Sequence, residues 1–172
     1  MESVRIIIFC VASAVVYGIV HDQVTARVCV EYFTIGHPPI FGTDDPTILA
    51  FGWGVLATWW VGLFLGIPLA VVARVGRSPK RSMRSLIGPI IVLMVFTASL
   101  ALAAGALGFF LANKGSISLG EPLTSSVPPQ KHVAFLADLW AHLASYVAGF
   151  VGAVYIIVRI AWSRLFTGRK SS

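Results

Sequence analysis

Residues 6–20 read IIIFCVASAVVYGIV, and residues 21–37 read HDQVTARVCVEYFTIGH. The first stretch carries no charged side chain; the second opens on His-Asp and adds an Arg, a Cys, a Glu and another His. An apolar run of that length that ends abruptly in ionisable residues reads as a membrane helix delivering polar groups to the edge of the bilayer. The helix is expected to run from about 4 to 20. A cleaved signal peptide is the rival reading, with Arg5 as its basic region and Ala12-Ser13-Ala14 as the cleavage site. The apolar core before that site, Ile6 to Val11, is too short for one, so the segment is expected to be retained.

The rest of the chain repeats the theme. Of 172 residues, 57% are hydrophobic and 12% charged, with a mean hydropathy of +0.85. A soluble domain of this size needs a more charged surface. Three further apolar runs, about 46–73, 85–111 and 132–163, complete an all-α, four-helix transmembrane bundle read as one domain over 1–172. The net charge of +6 does not call for nucleic acid, because the basic residues serve better as topology determinants. Two cysteines make no disulfide framework. On one helix Cys10 and Cys29 would lie roughly 28 Å apart, which leaves Cys10 as packing and Cys29 as a free thiol, a metal ligand or a partner for another chain's cysteine.

Beyond Val20, Gln23, Arg27 and Glu31 recur at helical spacing, and Gly36 with Pro38-Pro39 is a stop signal. The first helix is therefore expected to extend to about Ile35. A strand is the alternative, since Val24, Ala26, Val28 and Val30 alternate with polar residues. Asp45-Pro46 reads as an N-cap with proline in the first turn of span two. Within that span, Gly62 and Gly66 permit close helix approach, and Pro68 is expected to bend it. Trp53, Trp59 and Trp60 read as packing or interfacial anchors. In span four, Ala141, Ser145, Gly149 and Ala153 repeat every four residues as a smooth face for a neighbour.

Arg5, the connector residues Arg74, Arg77, Lys80, Arg81 and Arg84, and Arg159, Arg164, Arg169 and Lys170 fall on one side of a four-span arrangement. Only Arg27, Lys114 and Lys131 fall on the other. Positive residues stay in the cytoplasm, so both termini are expected inside and both long loops outside, in the periplasm of a bacterium.

The same arginines serve as a ruler. His21 lies sixteen residues after Arg5, and His142 lies seventeen before Arg159. At 1.5 Å per residue, both stand roughly 24–26 Å above the inner boundary. They are therefore expected to be level, near the outer edge of the hydrocarbon. Asp22 adjoins His21, Asp138 shares a helical face with His142, and Tyr17 and Tyr146 lie one turn below the histidines. Imidazole with carboxylate suits Zn²⁺, Fe²⁺, Mn²⁺ or Cu²⁺. His21, Asp22, Asp138 and His142 are the candidate metal ligands, and Glu31 and His37 are possible additions. His132 lies further out and belongs elsewhere. Ring nitrogens of His21 and His142 about 3–4 Å apart would let one ion bridge them, given metal–nitrogen bonds of ~2.0–2.1 Å. A haem held between the two histidines is the lesser alternative, and a purely structural hydrogen-bonded network is the plain one.

His21-Asp22-Gln23, Thr25, Glu31-Tyr32-Phe33 and Asp138 with His142 resemble the pattern of a widespread group of small four-span bacterial proteins. In that group the first helix ends in His-Asp-Gln and a Glu-Tyr-Phe follows closely. The resemblance implies a bacterial inner-membrane protein and includes Glu31 in the site; it implies no reaction. The expected functions are thus a membrane protein with an outer-facing metal site, an accessory subunit associating with itself or other membrane proteins, or a proton or ion relay. There is no phosphate-binding glycine loop, nucleophile elbow or His-Glu-x-x-His to suggest an enzyme of soluble type.

Overall fold

The computed structural model describes residues 1–76 and 79–169, with side chains to residue 165. Arg77, Lys170 and the Arg169 side chain, counted above among the inner basic residues, lie outside it. The described residues are helical and contain no strand. Helix α1 is Glu2–Val28, α2 Glu31–Thr34, α3 Pro46–Leu56 and α4 Trp59–Arg74. Helix α5 is Arg84–Asn113, α6 Leu123–Ser126 and α7 His132–Arg169, entered through a 3₁₀ turn at Pro129–Lys131. Four segments are long and apolar enough to cross a membrane: α1, α3 with α4, α5, and the 3₁₀ turn with α7.

Two expectations about helix ends need correction. The first helix does not continue unbroken to about Ile35. It stops at Val28, because Cys29 turns extended (φ −152°, ψ 96°), and a single helical turn restarts at Glu31. The predicted Gln23–Arg27–Glu31 stripe is thereby split. Arg27 donates to the Gln23 carbonyl and side chain and to Thr47, while Glu31 turns to Lys131 at 3.3 Å. The alternating Val24–Val30 segment is likewise not a strand. Span two, read as one helix over about 46–73, is interrupted at Ala57–Thr58, and Pro68 lies within α4. There the Thr58 hydroxyl donates back to the Gly54 carbonyl at 2.5 Å, offering that carbonyl a side-chain partner.

The Asp45-Pro46 signal acts as read. Asp45 Oδ1 accepts from the Thr47 and Ile48 backbone N–H groups, both at 2.9 Å, with Pro46 in the first turn. Helix α5 ends in a Schellman arrangement. Gly115 takes φ 71°, its N–H bonds the Ala112 carbonyl, and the Ser116 N–H bonds that of Leu111.

The helices pair two by two. Helix α1 lies along α3 and α4, and α5 lies along α7, with far sparser contact between the pairs. Glycine sets the first pairing: a Cβ on Gly54 would sit 2.6 Å from Ile19 Cα, and one on Gly62 2.6 Å from Val11 Cα. The Gly62/Gly66 signal is thus satisfied within the chain. In the second pairing Gly108 receives the Trp140 side chain, and Gly152 receives Leu93. The pairs are joined at both ends. One end holds the N-terminus, the α4–α5 connector and the last part of α7. There Glu2 accepts from the Met83 N–H, Arg81 donates to Ser163, and Arg164 donates to the carbonyls of Val72, Val75 and Pro79. A cluster that includes Ile6, Leu86 and Ile156 fills this end. At the other end Cys29, Phe33, Leu49, Val127 and Phe135 pack beneath the loops. Between the two clusters the helix pairs stand apart around a cleft of about 500 Å³.

Candidate functional site

Helix α1 carries His21 and Asp22 to the loop-covered end of the cleft, and α7 carries His142 to meet them. Nε2 of His21 lies 3.4 Å from Nδ1 of His142, and the rings meet edge to face at 4.4 Å. Nε2 of His142 lies 3.2 Å from Oδ1 of Asp22. One donor atom from each of His21, Asp22 and His142 falls within 4.8 Å of the others. The equal heights read from the arginine ruler are what the tertiary structure presents.

The bonds around His142 specify its protons. Its Nδ1 lies 2.9 Å from the Asp138 carbonyl, which can only accept, so Nδ1 carries hydrogen. Nε2 then faces Asp22 with either a lone pair or a second proton. Between imidazole and carboxylate there is room for one cationic partner: a shared proton or a metal ion. Asp22 is 5% exposed, so this contact is shielded from water. Replacing the proton by an ion leaves the Nδ1–carbonyl bond intact, the usual way a ligating imidazole is held in orientation.

Asp138 supplies that carbonyl, but its carboxylate is not part of the three-donor group. It is 4% exposed, and Oδ2 has no hydrogen-bond partner. A buried carboxylate oxygen left unpaired, on the residue whose carbonyl holds His142, is the feature of this region that its own bonds do not explain.

Glu31 lies outside the group. It bonds Lys131 at 3.3 Å and accepts from the Cys29 thiol at 3.3 Å. Burial pushes its carboxyl up, but its own backbone N–H, the Cys29 S–H and Lys131 together hold it below the usual range. The same neighbourhood, burial first and then the Glu31 carboxylate, pushes the Cys29 thiol up to about 12. Cys29 is therefore a protonated, packed thiol. His37 donates from Nδ1 to the Tyr32 carbonyl at 2.8 Å and rests against Trp53. His132 bonds the Val127 carbonyl at 2.9 Å, away from the group.

Two participants were given no role in the site from the sequence, although Tyr32 belongs to the Glu31-Tyr32-Phe33 pattern. Tyr32 stacks on His142 at 4.4 Å and 27°, closing the site from the loop side. Its phenol is pushed up by burial, then by Tyr146, Asp22 and Asp138. Ser145, read only as a small residue, bonds Tyr17 across the cleft at 2.6 Å. Its place one turn after His142 was the available signal. Tyr17 in turn lies parallel to His21 at 5.8 Å. No protein-family model, curated protein or solved structure matches this chain.

Proposed function

We propose that this is an integral membrane protein that binds one divalent transition metal ion through His21, Asp22 and His142 at the outer end of its bundle. In this reading both termini are cytoplasmic, the membrane is the bacterial inner membrane and the site lies on the periplasmic side. The distribution of basic residues supports that orientation. The observation that carries the metal is the 3.2 Å between His142 Nε2 and Asp22 Oδ1, with a second imidazole beside them. Bonds of about 2.0–2.2 Å at a tetrahedral angle place two ligand atoms roughly 3.4 Å apart, so little movement is needed along this edge. Two imidazoles and one carboxylate leave a coordination position open, the pattern of a reactive zinc or non-haem iron site and not of a closed structural one. Asp138 is the neighbouring carboxylate whose unpaired oxygen an ion would satisfy, directly or through water. The edge contact of the two rings leaves no slot for a porphyrin between them, which favours a bare ion over haem.

Metal analysis of the purified protein tests this. About one ion per chain is expected in the parent, and almost none in a His21→Ala/His142→Ala variant that keeps its helical signal. A parent that stays empty after loading with Zn²⁺, Fe²⁺, Mn²⁺ and Cu²⁺ in turn refutes it. A second reading, a proton relay, is favoured by the same pair holding one proton between His142 and Asp22. It predicts proton uptake, lost on His142→Ala, in a protein that never takes up metal.

A further inference from the structure

The cleft below the His/Asp group is a second feature, and it does not depend on a metal. Its lining along α7 runs from His142 to Ile157, about 22 Å of helix at 1.5 Å per residue. A volume of about 500 Å³ over that length makes a slot with room for a hydrocarbon chain laid along the helices. The walls are apolar, with Phe64, Leu65, Met94 and Phe150 among them. Toward the loops the chemistry changes. Tyr17 and Ser145 face each other across the slot and hold two hydroxyl hydrogens, of which their mutual bond uses one. One O–H is therefore left for an acceptor. Above them the slot is roofed by flat rings, Tyr32, His37 and Trp53, with His21 and His142 at its side. No Lys or Arg is among the described lining residues, and Asp22 is. A phosphate head would meet no counter-charge there. Midway, Thr97 lines the slot with a buried hydroxyl that has no partner.

We infer that the slot binds an isoprenoid quinone. Its single chain would lie between the helix pairs, and its flat, uncharged head would lie under the aromatic roof, one carbonyl accepting from the Tyr17–Ser145 pair. Each element answers a feature of the slot: an apolar chain for its length and walls, a planar head for the rings, a carbonyl for the unused hydrogen, and no charge for the absence of a cation among the described lining residues.

The test is titration of the detergent-solubilised full chain, in chelator, with a ubiquinone analogue bearing a ten-carbon chain. Fluorescence of Trp53 and Trp60, both in the lining, is the readout. Saturable quenching is expected. Gly149→Leu has open space for its side chain and should block the slot; Ser13→Leu does the same from α1. Each is expected to weaken binding more than about tenfold. The Tyr17→Phe/Ser145→Ala double variant, which removes both hydroxyls, should weaken it about five- to tenfold through the lost hydrogen bond. Decylbenzene, which has the chain and ring but no carbonyl, should compete at least about tenfold less well. Quenching that does not saturate, equal binding by both slot-filling variants, or equal competition by decylbenzene would overturn the proposal. So would a co-purifying phospholipid that the quinone fails to displace. Because chelator is present throughout, failure here leaves the metal reading untouched, and failure of the metal analysis leaves this one.

Discussion

Asp138→Leu separates a site built for an ion from a polar network that merely holds the helices. Leucine repeats aspartate's branched outline, so the exchange replaces two oxygens by two larger methyl groups. In the ion-free protein Oδ2 is buried and unpaired on a residue that is 4% exposed. An unsatisfied buried group costs about 1–3 kcal/mol, so the ion-free variant should be more stable than the parent by that amount. For a chain of this length the gain corresponds to a melting temperature higher by roughly 2–10 °C. With metal bound the difference shrinks. Losing an outer carboxylate should weaken metal affinity about 10–100-fold, so the parent gains more from saturating metal than the variant does. The assay is tryptophan-detected melting in one detergent, with chelator and with saturating Zn²⁺, for both proteins. A variant that melts below the parent in chelator would show that Oδ2 has a partner there, and the reasoning would fail. An equal metal-induced rise in both proteins would remove Asp138 from the site.

Further predictions concern the scaffold and the loops. Gly54→Ala places a methyl 2.6 Å from the α1 backbone, which cannot yield. It should destabilise by about 1–3 kcal/mol in a melting experiment, whereas Gly149→Ala, with nothing within 4 Å, should not. The Cys29 thiol, pushed up to about 12 by burial and the Glu31 carboxylate, should resist maleimide at pH 8 in the folded protein. Glu31→Gln should lower that barrier, read as faster labelling. Glu31 itself is held below the ordinary carboxyl range in the fold, so its contribution is present above that range and lost as pH falls through its lowered value. Acid should therefore loosen the Glu31–Lys131 contact, measured as faster amide exchange near 29–34, and Lys131→Met should show the loosened exchange already at neutral pH. Reporter fusions should place both termini in the cytoplasm and residues 114–131 outside.

The four-helix character was legible because lipid imposes a simple rule: only long uncharged runs cross it, and they are visible in composition alone. The meeting of His21 with His142 was legible for a related reason. Rise per residue is constant along a helix, and the basic residues mark where counting starts. The breaks were less legible. Cys29 stops α1 and Thr58 interrupts span two without glycine or proline at either place, because each break depends on partners from other elements. Glu31 has Lys131 opposite it, and α1 presses against Gly54. Pro68, read as a bend, sits inside α4, as lipid-embedded helices allow when nearby groups satisfy the freed carbonyl.

Residue type along the chain determined that this protein has four membrane-length helices and which residues could reach its polar site. Those properties follow from hydrophobicity and helical rise, which each segment carries on its own. Which way each side chain turns around its helix was decided only when the helices packed. Glycine contacts rotate α1 so that Asp22 and His21 face α7. The same packing turns Glu31 toward Lys131 and away from the histidines, leaves Asp138 with an unpaired oxygen, and holds two helix pairs apart around an open slot. Rotation about a helix axis depends on the surface presented by its neighbour, and no segment carries that by itself.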